Sequence, residues 1–540
     1  MERALDSALQ DSKRFTTFNR QNVTYNYEGM VAQSYSHQIN GPVYGNVQFG
    51  DIQSRDQHIR ERILASLRFE GMDRYHERPL ESHPGTYGWI FADEPLVVHS
   101  CETCDESGPA YERWAARRCR AQIESDKRAS QSAASFQNWL RYSDEIFWVT
   151  GKAGSGKSCL MKFLAGHNRT SDVLHLWAGS DVVICEFYFW AAGGKLEQSQ
   201  GRLLRSLLYQ LLNFNQEMIE RAVPQRWAAM ERSNGHSTPW QHSELRKALQ
   251  SVVEYYRGTQ KLCFFIDGLD GFAGDHQDLI DDLKALNRSP DIKICVSSRP
   301  WNVFSHRLGG GSETLFLKLH ELTYRDLSLY VGERLGQISI VPLPNATYIE
   351  GAYCTNLQSF ILAKAQGVFL WVKLAVNGLR RGIEERDTLS ELQTRLQTTP
   401  SDIEDFIQKM FDSIDPVYRK YCARVLLLLM AKFRETYSNL LLVRLWQLSQ
   451  DPDNQKLAST MYDQDTILPE LLDLLDQSQI LVNKWCKDLV DVVRPAPNMN
   501  KSDADLALEI VYCCSSHHIL FAHRTILDFA RAKADDGSLD

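Results

Sequence analysis

The chain has 540 residues, of which 43% are hydrophobic and 24% charged, and this composition excludes a wholly disordered or fibrous protein. At about 100–200 residues per domain, the length predicts three or four domains. The 60 basic and 68 acidic side chains give a net charge of -8, which argues against a general nucleic-acid-binding protein and leaves only a local basic patch open.

The first 56 residues differ from the rest of the chain. They are rich in Asn, Gln, Ser, Tyr and Gly and show no helical period, which predicts a flexible or β-prone arm. No apolar stretch follows the first charges, so the arm is not a secretory signal. The most apolar run of the chain, residues 425–431, is far shorter than the roughly 20 residues that cross a bilayer. We therefore expect a cytoplasmic protein without a membrane span.

Residues 57–134 are predicted to form a helical segment and a linker. Between 135 and 335 short apolar runs alternate with helical segments, which is typical of an α/β domain whose parallel sheet is sandwiched by helices. Four runs are the candidate strands: 146–150, 182–189, 262–266 and 292–296. Residues 336–400 and 401–540 are predicted to be mostly α-helical flanking domains, with a short strand pair and a helix between 510 and 529.

A phosphate-binding loop stands after the first candidate strand. Residues 151–158 match G-x-x-x-x-G-K-[ST] and open a helix, as the motif requires. Backbone N–H groups of such a loop surround phosphate oxygens, while Lys157 reaches the β- and γ-phosphates and Ser158 ligates Mg²⁺. The alternative is a glycine-rich turn that binds nothing. The predicted nucleotide contacts are Gly151, Ala153, Gly154, Ser155, Gly156, Lys157, Ser158 and Cys159.

Charged residues end two later strands. Asp267 follows the apolar run 262–266 and can position the metal, with Asp270 three residues on. The alternative is that Asp267 only caps the next element. Arg299 follows the run 292–296, where it could sense a γ-phosphate or form a surface ion pair.

These motifs, in this order, resemble the NACHT class of STAND P-loop NTPases, related to NLR-type immune receptors. The likeness is strongest to fungal NACHT proteins whose P-loop module is similar to the N-terminal part of nephrocystin, and it covers about residues 59–400. The segments that carry it are 63–69, 147–158, 187–190, 203–210, 265–270, 293–300 and 319–323.

The resemblance implies a signalling switch. ADP would hold a closed monomer, and ATP would open the chain for self-association and for a downstream partner in innate-immunity or incompatibility-type signalling. Asp267 would take the Mg²⁺ role and Arg299 the sensor role. Residues 521–529 resemble the winged-helix signature in which a histidine, here His523, reaches the β-phosphate of ADP. The alternative for His523 is a structural histidine.

Two departures from the family stand in the sequence. Gly271 replaces the usual catalytic glutamate, so we expect slow or absent ATP hydrolysis, with Asp270 as the candidate catalytic residue. Phe369 replaces the proline of a Gly-x-Pro adenine contact.

Segment 40–50 has the composition of amyloid-type signalling motifs, but Pro42 interrupts it and favours disorder. A nucleotide-stabilised scaffold and a working ATPase are the alternative functions.

Overall fold

The computed structural model describes residues 52–69, 72, 82–92, 110–189, 200–232, 238–309, 315–336, 349–434, 480–482, 484–493, 518–521 and 523–539. The predicted arm up to residue 51, and with it segment 40–50, lies outside the described residues. No helix in the described part of the chain has the length and apolar character needed to cross a membrane.

A five-stranded parallel sheet forms the centre of the molecule. Its strands are β1 (Phe147–Thr150), β2 (Val183–Tyr188), β3 (Leu262–Asp267), β4 (Ile292–Ser298) and β5 (Phe316–Lys318). The order across the sheet is β2-β3-β4-β1-β5. The predicted α/β fold and its four strands are therefore confirmed. The fifth strand was not predicted, because three residues at a sheet edge carry too short a pattern.

Helices cover both faces of the sheet. Phe147 and Val149 pack into one core and Trp148 between them packs into the other, because successive strand residues point to opposite faces. The helices around the sheet are α1 (Ile52–Leu67), α2 (Ala110–Tyr142), α3 (Lys157–Gly166), α4 (Asn168–Ala178), α5 (Gln200–Phe214), α6 (Ile219–Ala222), α7 (Pro224–Arg232), α8 (His242–Tyr256), α9 (His276–Leu286) and α10 (Asn302–Leu308).

The segment upstream of the phosphate loop belongs to this layered core. Helix α1 begins at Ile52, before the predicted start at residue 57, and its apolar face packs against α5. Arg205 of α5 donates to the last carbonyls of α1, with Nε 3.0 Å from Leu67 O. Helix α2 is continuous through the predicted boundary between residues 134 and 135.

The second half of the described chain is mostly helical and shares one hydrophobic core. Its helices are α11 (Tyr324–Gly336), α12 (Ile349–Ala365), α13 (Phe369–Glu384), α14 (Leu389–Thr398), α15 (Ile403–Asp412), α16 (Pro416–Arg434) and α17 (Arg524–Asp535). Strands β6 (Val490–Val493) and β7 (His518–Phe521) pair antiparallel just before α17. The strand pair predicted within 510–529 thus takes its first strand from an earlier part of the chain.

Candidate nucleotide-binding site

The phosphate loop connects β1 to α3 at the carboxyl edge of the sheet. Gly154 and Gly156 have φ values of 72° and 94°, which a residue with a Cβ adopts at a cost. A Cβ at Gly156 would also lie 2.4 Å from Tyr87 Oη. These two glycines therefore let the loop curl ahead of the α3 N-terminus, where unpaired N–H groups favour an anion.

Lys157 lies inside the loop. Its Nζ donates to the Gly151 carbonyl at 2.8 Å and to the Lys152 carbonyl at 3.0 Å. Burial lowers the pKa of Lys157 to about 8, against the opposing effect of the Asp270 and Asp267 carboxylates. A phosphate would provide this buried amine with an opposite charge that the loop carbonyls lack.

Ser155 adds a hydroxyl to the same loop. Its Oγ is buried and has no hydrogen-bond partner within the described residues, an arrangement that is costly unless a ligand or water completes it. Cys159, the third residue of α3, is half-buried, and burial raises the pKa of its thiol to about 11, so it stays protonated. Ala153 is half-buried and packs against the helical core of the second half of the chain.

The predicted metal residues meet directly. Ser158 Oγ donates to Asp267 Oδ2 at 2.6 Å, and Ser297 donates to the other carboxylate oxygen. Burial raises the pKa of Asp267, and the two serine hydrogen bonds oppose the rise. A hydroxyl and a carboxylate at the end of β3 are oxygen ligands of the kind that suits Mg²⁺ together with phosphates and water, so these residues fit the ion.

Arg299 and Asp270 form an ion pair beside the loop. Arg299 Nε lies 3.2 Å from Asp270 Oδ2, and the Arg299 backbone N–H donates to Asp270 Oδ1 at 3.1 Å. Two residues of the C-terminal helix α17 join them. Arg524 Nη1 lies 3.3 Å from Asp270 Oδ2, and Arg299 Nη2 lies 2.8 Å from Asp528 Oδ2. Both Asp270 oxygens are thus engaged, and its catalytic role stays a prediction.

His523 stands at the N-terminus of α17 and faces the same cations. Its Nδ1 accepts from the Thr525 N–H at 3.1 Å, so the neutral ring carries its proton on Nε2. Burial and then the charges of Lys157, Arg524, Arg299 and Lys373 lower the pKa of His523 to about 3. The charge of the phosphate-loop lysine thus acts on His523, and a contact of His523 with the β-phosphate of ADP stays a prediction.

Tyr87 is a site residue that the sequence did not indicate. Its hydroxyl donates to the Gly156 carbonyl at 3.2 Å, and its φ of 62° lies in the left-handed region. The Asp326 carboxylate holds this turn by accepting from the Tyr87 N–H at 3.2 Å and from Trp89 Nε1 at 3.0 Å. Burial raises the pKa of Asp326 to about 6. No motif marks residues 82–92, so a sequence signal for this contact was absent.

The turn before α13 and the first residues of that helix cover the phosphate loop. Leu370 N–H donates to the Gly154 carbonyl at 3.0 Å, and Lys152 Nζ donates to Gln366 Oε1 at 2.9 Å. Phe369 has its ring centroid 6.3 Å from that of Tyr87. Its aromatic ring therefore lies beside the loop.

Residues 130–299 match the family model described as Nephrocystin 3, N-terminal. No curated protein matches the chain.

Three solved structures align with most of this chain at low sequence identity and low TM-score. The Orc1 protein of Aeropyrum pernix in complex with DNA aligns at 12% identity and a TM-score of 0.27, over 82% of this chain and 97% of that one. Cdc6p of Pyrobaculum aerophilum aligns at 11% identity and a TM-score of 0.28, over 81% and 99%. The Orc2 protein of Aeropyrum pernix aligns at 12% identity and a TM-score of 0.29, over 76% and 94%. No residue of the site is assigned from these scores.

The parallel sheet, the phosphate loop after β1 and the carboxylate that ends β3 occur together in one segment. Residues 130–299, which include β1 to β4, also match the model of the N-terminal region of nephrocystin 3. The centre of this chain is a P-loop NTPase domain with a nephrocystin-like segment.

Proposed function

We propose that the protein is a STAND-type signalling switch that binds ATP and ADP. ADP holds the chain in a closed monomer, and ATP opens it for self-association and for contact with a downstream partner in the cytoplasm. The resemblance to fungal NACHT proteins supports a role in innate-immunity or incompatibility-type signalling. The alternative of a permanent nucleotide-stabilised scaffold predicts the same binding without a change of state.

The observation that carries the proposal is the contact between α17 and the nucleotide site. Asp528 and Arg524, both at the start of this helix, pair with Arg299 and Asp270 of the P-loop domain. His523 precedes them and lies in the field of Lys157. A segment more than two hundred residues away in sequence thus shares charged contacts with groups placed to receive phosphates. Such a contact is one that a change of nucleotide can alter.

Each site residue has a role in this proposal. The loop N–H groups and Lys157 bind the phosphates, Ser158 and Asp267 hold Mg²⁺, and Arg299 responds to the γ-phosphate. Mg²⁺, when held by Ser158 and Asp267, would neutralise part of the phosphate charge. His523 donates its Nε2 proton toward the β-phosphate of ADP. With Gly271 in place of a glutamate, hydrolysis is slow.

The direct test is the nucleotide that the purified protein retains and the affinity it shows for both nucleotides. We expect the protein to carry ADP, identified by chromatography after denaturation, and titration calorimetry of the stripped protein to show binding of ADP and of Mg·ATP. A stripped, folded protein that binds neither nucleotide would remove the basis of the proposal.

A further inference from the structure

Arg299 has two carboxylate partners that differ in how firmly they are held. Asp270 is fixed inside the P-loop domain, with 2% of its side chain exposed and with the Arg299 backbone N–H as an additional donor. Asp528 comes from α17 and is 35% exposed. Of the two, Asp528 is the carboxylate that can leave without disrupting the P-loop domain.

The charges in this cluster are balanced without a nucleotide. Asp270 and Asp528 offset Arg299 and Arg524. Asp270, Arg299 and Arg524 also lie close enough to Lys157 for their charges to shift its pKa. Arg299 directly follows β4, and β4 pairs with β1, so that Ser298 stands opposite Thr150 at the start of the loop. A further phosphate group that enters beside Lys157 brings negative charge toward Arg299 and toward the carboxylate already bound there.

The apolar and charged surfaces of α17 have different partners. Ile526, Leu527 and Ala530 are buried in the core of the second half of the chain, whereas Asp528 and Arg524 reach across to the P-loop domain. Loss of the charged contact therefore leaves α17 folded and changes how the two halves are held together. Ionic contacts of this kind respond to a competing charge more readily than buried apolar contacts do.

We propose that Asp528 competes with the γ-phosphate of a nucleoside triphosphate for the Arg299 guanidinium, so that ATP displaces Asp528 and ADP leaves it in place. The inference rests on the proposed function and specifies how the same site tells ATP from ADP. Asp528 acts here as a phosphate mimic, since a carboxylate and a phosphate oxygen make the same charge-assisted hydrogen bond to a guanidinium.

The test compares Asp528→Asn with Asp535→Asn in the full chain. Asp535 lies on the exposed face of the same helix, so its variant carries the same change in charge without touching Arg299. Titration calorimetry measures the affinity of each variant for ADP and for a non-hydrolysable ATP analogue, both with Mg²⁺. We expect Asp528→Asn to raise the preference for the analogue over ADP by at least about fivefold, the effect of removing one charge-assisted competitor.

Further variants separate competition from a general loosening of the fold. Asp535→Asn is expected to leave the preference unchanged, and Asp528→Glu to keep most of the wild-type preference. A melting curve by circular dichroism checks that each variant is folded. If Asp528→Asn is not, Asp528→Ala replaces it, because it also removes the carboxylate and should raise the preference for the analogue. A change of equal size in both affinities, or none in either, would overturn the competition while leaving nucleotide binding intact. Absence of binding by the wild type would overturn the proposed function as well.

Discussion

At the scale of single residues, the nucleotide site is defined by groups whose present partners are weaker than a phosphate. The Lys157 amine is bonded to two carbonyls of its own loop, the Ser155 hydroxyl has no partner among the described residues, and His523 keeps its Nε2 proton free of its N-cap bond. Each of these groups gains a stronger interaction when an anion enters.

Lys157→Ala should weaken the affinity for both ATP and ADP by at least roughly tenfold, because a hydrogen bond to a charged group contributes about 1.5–3 kcal/mol. Alanine suits the first turn of α3, so the variant stays folded. Titration calorimetry with Mg²⁺ measures the effect, and Lys162→Ala on the same helix is the control. Equal affinities for Lys157→Ala and wild type would contradict the assignment of the phosphate loop.

The pH dependence of stability tests the position of His523. Its pKa falls from 6.5 to about 3 on folding, so the unfolded chain binds a proton that the folded chain does not. Stability is therefore unaffected above about pH 6.5 and decreases as the pH falls toward 3. Between about pH 7 and about pH 5, protonation of this residue in the unfolded chain should lower the free energy of unfolding by about 2 kcal/mol.

His523→Asn removes the titrating ring and keeps a favoured N-cap residue for α17. Urea unfolding of the nucleotide-free protein at the two pH values should therefore show a smaller loss of stability for the variant than for the wild type. His276 and His320, whose pKa values burial also lowers, are present in both proteins and cancel in the comparison. An identical loss in both would place His523 away from the buried cationic site.

At the scale of elements, the contact between the phosphate loop and the start of α13 depends on one glycine. Gly367 has a φ of 81°, and a Cβ there would lie 1.7 Å from the His320 carbonyl oxygen. The turn before α13 can therefore approach the segment after β5 only without a side chain at this position.

Gly367→Ala should lower the free energy of unfolding by about 2–4 kcal/mol, because both the backbone angle and the carbonyl must change. Gly378→Ala, within α13, is the matched control: nothing lies within 4 Å of its Cβ position, and alanine should stabilise the helix by about 0.5–1 kcal/mol. Urea denaturation compares the two variants. Similar stabilities would show that the turn before α13 does not have this conformation.

The sequence predicted those elements whose signals are local. Four apolar runs in the sequence predicted β1 to β4 and therefore the parallel sheet. Five leucines predicted α5 as one of the helices that cover the sheet. The loop glycines, Lys157, Ser158 and Asp267 were identifiable because their chemistry requires a fixed spacing and a strand before it. Ser158 and Asp267 are in direct contact, and their role in holding Mg²⁺ stays a prediction.

Contacts between distant segments could not be predicted. Tyr87 contacts Gly156 because Asp326, far along the chain, holds its backbone. Arg524 and Asp528 look like ordinary helix charges until α17 lies beside Arg299. Such pairings arise from packing between elements and leave no periodic pattern in the sequence.

At the scale of the whole molecule, two hydrophobic cores cover the sheet and a third joins the helices of the second half. The charged cluster of Asp270, Arg299, Arg524 and Asp528 connects the P-loop domain to α17, whose apolar face is buried in that third core. Under the proposed switch, nucleotide phosphates enter beside this connection, and their number determines whether the two halves stay together.

The mass of the protein in solution with each nucleotide tests the switch most directly. Multi-angle light scattering should give the monomer mass of 61.9 kDa with Mg·ADP and a larger assembly with a non-hydrolysable ATP analogue. Lys157→Ala should stay monomeric with both. A wild-type protein that binds both nucleotides and has the same mass with each would contradict the switch and favour the scaffold.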